Sequence, residues 1–152
     1  MSVGQFCNRD TVVVRKHDSI VATAKLMRES HVGSVVIVEE QAGVIKPAGI
    51  VTDRDLVLEV LAAELDPETV TIGDLIAYEL VTASEHDGIW ETIQRMRIKG
   101  VRRMPVVDGK GALVGIISVD DLLEILAAEL SEVTKVLARE QVREEKTRPP
   151  VP

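Results

Sequence analysis

A chain of 152 residues with 45% hydrophobic and 28% charged residues has the composition of a folded globular domain. Its net charge of −7 and its three aromatic residues, Phe6, Tyr78 and Trp90, argue against a nucleic-acid binder, which needs a basic face and stacking platforms. The single cysteine, Cys7, excludes an internal disulfide, and no apolar run approaches the roughly 18 residues that span a bilayer. The N-terminus lacks a basic region followed by an apolar stretch, so no signal peptide is expected and the expected location is cytoplasmic.

In chain order, Thr11–Val14 reads as a short apolar strand. A helix follows, with Ile20, Ala24 and Met27 on its inner face and Asp18 or Ser19 as N-cap. Val35–Val38 is a continuous apolar run, hence a buried strand. Glu39–Ala48 reads as a loop, and the next strand carries Ala48–Val51. Thr52 then caps a helix predicted over Asp53–Leu65. Asp66-Pro67 stops it, and Asp66–Glu79 reads as a linker with a short helical turn between Thr71 and Ile76.

The pattern then returns. Leu80–Ala83 is a strand, and Ile89, Ile93 and Met96 mark a helix capped by Asp87. Met104–Val107 is the buried strand, and Val114–Ile117 the next. Ser118 caps the last helix. His86 lies 69 residues after His17, and Gly115 lies 66 after Gly49. The difference is absorbed between the last two strands, where insertions are tolerated. Each copy is β-α-β-β-α over about 55–60 residues, too few to bury its own apolar sheet face, so two copies cover each other. From Leu130 to Thr147 the last helix continues, with Leu130, Val133, Val136 and Leu137 as a stripe able to cover the rest of the chain or meet a second subunit. Pro149-Pro150-Val151-Pro152 ends helical structure and is expected to be disordered.

One turn recurs. "GIVTDRDL" (Gly49–Leu56) and "GIISVDDL" (Gly115–Leu122) each place a hydroxyl at a helix N-terminus and a carboxylate three residues on. Hydroxyl and backbone N–H groups there suit an anion, and a carboxylate one turn along suits a cis-diol. Thr52 with Asp55, and Ser118 with Asp121, therefore read as ribose–phosphate corners. The same spacing is also a capping box, and spacing does not choose between the two.

These turns, with "VRRMPVVD" (Val101–Asp108) and the duplicated β-α-β-β-α pattern, resemble a cystathionine-β-synthase (CBS) domain pair, or Bateman module, from about Thr11 to Leu130. The resemblance implies an α+β fold of two tandem repeats packed sheet to sheet with pseudo-two-fold symmetry, plus the C-terminal helical extension. It implies repeats over 1–65 and 80–130, a linker over 66–79 and an extension over 131–152. It also implies a non-catalytic regulatory module, a homodimer with an unidentified effector protein. AMP is the first expected ligand, with ATP, ADP, NAD or S-adenosylmethionine as others, and no cofactor is required.

Carried onto this chain, the resemblance assigns ribose to Asp55 and Asp121, and phosphate or ribose contacts to Thr52 and Ser118. Val12, Val13, Val81 and Thr82 would flank the base. Arg102 and Arg103 fall where related modules bind phosphate, and Arg54 at an often basic position. Cross-pairing of the repeats would bring both arginines beside Thr52 and Arg54, making the Asp55 corner the better anion site. Asp120 stands where copy one has Arg54, which disfavours a polyphosphate in the other corner unless a cation bridges. No metal site is expected. His17 and His86 lie in separate copies without a third ligand and read as loop or cap residues; His31 precedes the strand entry at Val32-Gly33, and Trp90 reads as a packing or oligomer-contact residue. No nucleophile–base pair or Gly-rich phosphate loop points to an enzyme. The rival reading is an interaction module whose corners are vacant or hold magnesium through Asp53, Asp55, Asp120 and Asp121.

Overall fold

Two three-stranded sheets, ordered β1-β2-β3 and β4-β5-β6, carry the architecture. The computed structural model describes residues 1–76, 78–148 and 150–151; the linker reading at Ala77 and the tail reading at Pro149 and Pro152 lie outside the described residues. The chain divides into two compact units, Met1–Ile117 and Ser118–Pro152.

After a single turn, α1 (Val3–Phe6), come β1 (Val13–Arg15), α2 (Ile20–Ser30), β2 (Ser34–Gln41), β3 (Val44–Thr52) and α3 (Asp53–Leu56). The second series is β4 (Ala83–Ser84), α4 (Ile89–Lys99), β5 (Arg103–Val107), β6 (Leu113–Ser118) and α5 (Val119–Thr147). The order β-α-β-β-α thus occurs twice in an α+β fold. β1 runs parallel to β2 across the α2 crossover, and β4 runs parallel to β5 across α4, while β2 and β3 are antiparallel.

Five local expectations are corrected. Ala24 is exposed, and Thr23 takes the core position instead; its hydroxyl donates to the Ser19 carbonyl at 2.9 Å, so burial leaves no polar group unpaired. Thr92 repeats this in α4, donating to the Gly88 carbonyl at 2.8 Å, and Ile93 is half-buried. Of the two caps offered for α2, Ser19 holds the position, but in α4 Gly88 replaces Asp87, because Asp18 and Asp87 are drawn back to accept the Arg15 and Ser84 N–H groups. Glu39–Ala48 is no loop: β2 and β3 continue through it as a hairpin closed by Ala42 and Gly43, both at positive φ, as a type I′ turn requires. Pro47 is tolerated because β3 is an edge strand with a register shift. Finally, α3 is α-helical only to Leu56 and continues as a π-helical turn, Val57–Leu61, that keeps Val60 in the core. β1 and β4 also begin later than read from the sequence, at Val13 and Ala83.

The core of the first repeat is Val14, Ile20, Met27, Val35, Ile37, Val51 and Val60, and it is closed by Ile72, which comes from the connecting segment. Ile72 sits in a short 3-10 helix, Ile72–Leu75, stitched to the first repeat by Ile72 N–H to the Asp18 carbonyl and Gly73 N–H to the Lys16 carbonyl. The N-terminal segment does the reciprocal thing. Val3 and Gly4 donate to the carbonyls of Asp87 and Glu85, and Asn8 pairs with Ile116. Val3 and Ile72, Gly4 and Gly73, Glu85 and Lys16 are all related by the 69-residue offset. Each leading segment therefore docks on the other repeat.

The docking needs glycine for closeness. A Cβ on Gly73 would lie 2.8 Å from the Lys16 carbonyl oxygen, and on Gly4 2.6 Å from that of Glu85. Gly73→Ala should destabilise the chain by about 1–3 kcal/mol in urea unfolding, whereas Gly109→Ala, which meets open space, should stay within about 0.5 kcal/mol.

A second prediction concerns the shorter hairpin. Asp108 accepts the N–H groups of Ala112 and Lys110, which hold its carboxyl below the ordinary value near 3.8. A carboxyl depressed in the folded state stabilises fully above its unfolded value and loses that contribution as pH falls through the folded one. The stability advantage of the wild type over Asp108→Asn should therefore be constant at neutral pH and shrink as pH drops below about 3.8.

Candidate functional site

β3 ends because Thr52 turns its hydroxyl onto the next turn. Thr52 Oγ1 accepts the Asp55 N–H at 3.1 Å, and Asp55 Oδ2 accepts the Thr52 N–H at 2.8 Å. Ser118 and Asp121 repeat the box at the start of α5, with Ser118 N–H and hydroxyl both donating to Asp121 Oδ2 at 2.8 Å. Asp74 accepts the Thr71 N–H in the same way at 2.9 Å. The capping role is therefore real, and it recurs where no ligand corner was expected. A box alone does not mark a site.

Beside the Thr52 box lies a cavity of about 600 Å³. Three stretches of the first unit build its walls: the turn Gly49–Asp55 with Glu59; Leu75, Ile76 and Tyr78–Val81 of the crossover; and Gly100–Arg103 at the start of β5. The exchange of leading segments places the crossover there. Gly49 lets it approach, since a Cβ would sit 3.1 Å from Ile76 Cγ1. Gly100, in the left-handed conformation at φ 67°, ends α4 and redirects the chain toward the arginines.

The cavity thus gathers Thr52, Arg54, Asp55, Val81, Arg102 and Arg103 from the expected site residues. Asp55 spends lone pairs on its cap, but a carboxylate offers about four acceptor positions, so a diol can share it. Three arginines line the one cavity, and a guanidinium is the planar, multidentate donor that phosphate selects. Ile50, Leu75, Ile76, Leu80, Val81 and Val101 supply apolar wall.

The other expected residues lie elsewhere. Thr82 is not among the lining residues; its carbonyl accepts Arg95 Nη1, which also pairs with Asp87 at 2.6 Å. Val12 packs on the first-repeat core, and Val13 pairs with Val36 in the sheet. Ser118 and Asp121 belong to the second unit.

Sequence reasoning missed Tyr78, Glu79 and Glu59 as lining residues. Tyr78 is 89% exposed at the cavity, and its rarity in so aromatic-poor a chain was the available signal. Among the described residues, no group of three or more His, Cys, Asp or Glu is placed to hold a metal ion. His17 and His86 are both exposed, in turns before α2 and α4.

Comparison with known proteins matches the CBS domain family to residues 3–62 and 72–128. The uncharacterized protein MK0525 of Methanopyrus kandleri is 36% identical over 143 residues, covering 92% of this chain and 71% of that protein. Hypoxic response protein 1 of Mycobacterium tuberculosis is 34% identical over 115 residues, covering 76% of this chain and 78% of that protein. The crystal structure of hypoxic response protein I, with two coordinated zinc ions, superposes with a TM-score of 0.70 at 32% identity, covering 82% of this chain and 98% of that one. A CBS domain pair in complex with 5-methylthioadenosine and S-adenosyl-L-methionine gives a TM-score of 0.69, covering 85% of this chain and 98% of that one; at 20% identity the likeness speaks for the fold alone.

Because the boxes are structural whatever binds, Asp55→Ala and Asp121→Ala should each cost about 0.5–2 kcal/mol in denaturant unfolding without ligand. Exposed Arg54→Ala should stay within about 0.5 kcal/mol.

Proposed function

We propose that this chain, which belongs to the CBS domain family, is a regulatory module that binds an adenine nucleotide, AMP foremost, in the Asp55 cavity. The observation that carries the reading is one cavity shared by a half-buried carboxylate at a helix N-terminus and by Arg54, Arg102 and Arg103. Asp55 holds the ribose hydroxyls, and Thr52 and the arginines hold phosphate. The apolar wall, with Val81, flanks the base. The arginines favour a phosphate-bearing member such as AMP, ADP, ATP or NAD over S-adenosylmethionine.

The Ser118–Asp121 corner is a second and weaker position, because Asp120 stands where the first copy has Arg54. We divide the chain into repeats over 1–65 and 80–130, a linker over 66–79 and an extension over 131–152. The module performs no catalysis. It works as a cytoplasmic homodimer that passes its occupancy to an effector protein, and it does so only through different affinity for two conformations.

Thermal unfolding of nucleotide-stripped protein tests this against AMP, ADP, ATP, NAD, S-adenosylmethionine and magnesium. A ligand at one hundred times its dissociation constant should add about 2.7 kcal/mol. The expected result is a shift with a phosphate-bearing adenine ligand that is largely lost in Arg54→Ala and Arg103→Ala. No shift with any nucleotide at millimolar concentration sinks the reading, and a shift with magnesium alone replaces it with a cation-holding interaction module.

A further inference from the structure

The second unit offers a surface that the nucleotide reading does not use. α5 runs 29 residues, and every residue from 127 to 148 is exposed. Along it, Leu123, Leu126, Leu130, Val133 and Leu137 alternate at steps of three and four, the repeat of a coiled-coil seam. Leu130 and Leu137 are 65% and 63% exposed, and Val136 flanks the seam. The second unit is this helix and a short tail, and among its described residues nothing covers the stripe. A helix in water draws most of its stability from packing an apolar face, which makes a seam of this length a face that is meant to be covered.

The charge along the helix says by what. Its first half, Val119 to Glu132, carries Asp120, Asp121, Glu124, Glu129 and Glu132 and no Lys or Arg. Its second half carries Lys135, Arg139, Arg143 and Lys146 against Glu140, Glu144 and Glu145. Two such helices side by side in parallel would set acidic half against acidic half. Antiparallel, the acidic half of each lies along the basic half of the other. With Leu130 facing Val133, Leu126 faces Leu137, Glu124 comes level with Arg139, and Asp120 with Arg143.

We propose that α5 is a self-association surface that pairs with α5 of a second copy of this chain in an antiparallel two-helix seam. The apolar pattern ends at Glu140, where the seam would next need an apolar residue, so the seam is short and self-limiting. This interface is independent of the ligand reading.

Sedimentation of the full chain tests it. The average mass of the wild type should exceed that of Leu130→Glu/Leu137→Glu by about twofold, while Val142→Glu, off the seam, keeps the wild-type mass. Thermal unfolding of each variant checks that the fold is retained. Equal masses for the wild type and the double variant overturn the proposal and assign the stripe to a partner of another sequence. Orientation is read by spin labels in a Cys7→Ala background. Labels at Ser131→Cys should lie near each other, and labels at Glu145→Cys roughly 40 Å apart, from 1.5 Å of rise per residue. Equal short distances at both positions mean a parallel pair and overturn the proposal.

Discussion

The reciprocal exchange of two short segments is the constraint on which the rest depends. Residues 2–8 dock on the second repeat, and residues 71–76 dock on the first. Each docking closes a sheet core with one apolar side chain, Val3 or Ile72, neither of which retains any exposure. Each is held by backbone hydrogen bonds that require contact closer than a Cβ permits, at Gly4 and Gly73. A small repeat that lacks enough apolar area to fold alone thereby borrows its last core residue from outside itself. Within Met1–Ile117, contacts distant in sequence tie the two sheets together.

The site is a consequence of that exchange. Having docked at Ile72, the chain must return to β4, and its path carries Leu75, Ile76 and Tyr78–Val81 over the turn at Thr52. Without the exchange, that turn is only a helix cap. With it, a cap becomes part of the wall of a cavity that Arg102 and Arg103 also line. The carboxylate of Asp55 does not have to choose between holding the helix and meeting a ligand. One oxygen accepts the Thr52 N–H, and a carboxylate has further acceptor positions.

The copies have diverged where divergence is cheap. His31 holds the left-handed end of α2 where Gly100 ends α4, at φ 54° and 67°. Asn, Asp and His accept that region more readily than most side chains, so the turn survives the substitution. The last helices differ more. α3 gives way to a π-helical turn and stops, while α5 runs on far beyond its capping box. The first serves the cavity and the core, and the second presents a long apolar stripe.

Much of this was legible in the residues. Apolar runs, helical spacing and the 69-residue offset determine the strands, the helices and the duplication, because burial imposes its period directly on sequence. The Thr52–Asp55 and Ser118–Asp121 boxes were legible for the same reason: a cap is a contact between residues three apart. Local competition misled the reading at Ala24, where a threonine able to satisfy its own hydroxyl took the core, and at Glu39–Ala48, where an Ala-Gly turn extended a hairpin through an apparent loop. The tertiary structure alone placed a cavity beside the Thr52 box. Thr52 gains Tyr78 from the crossover and Arg102 and Arg103 from the other repeat, whereas Thr82 is diverted to Arg95. Local spacing determines a cap, but a cavity is made by chain segments dozens of residues apart, and their meeting is set by how two incomplete cores close.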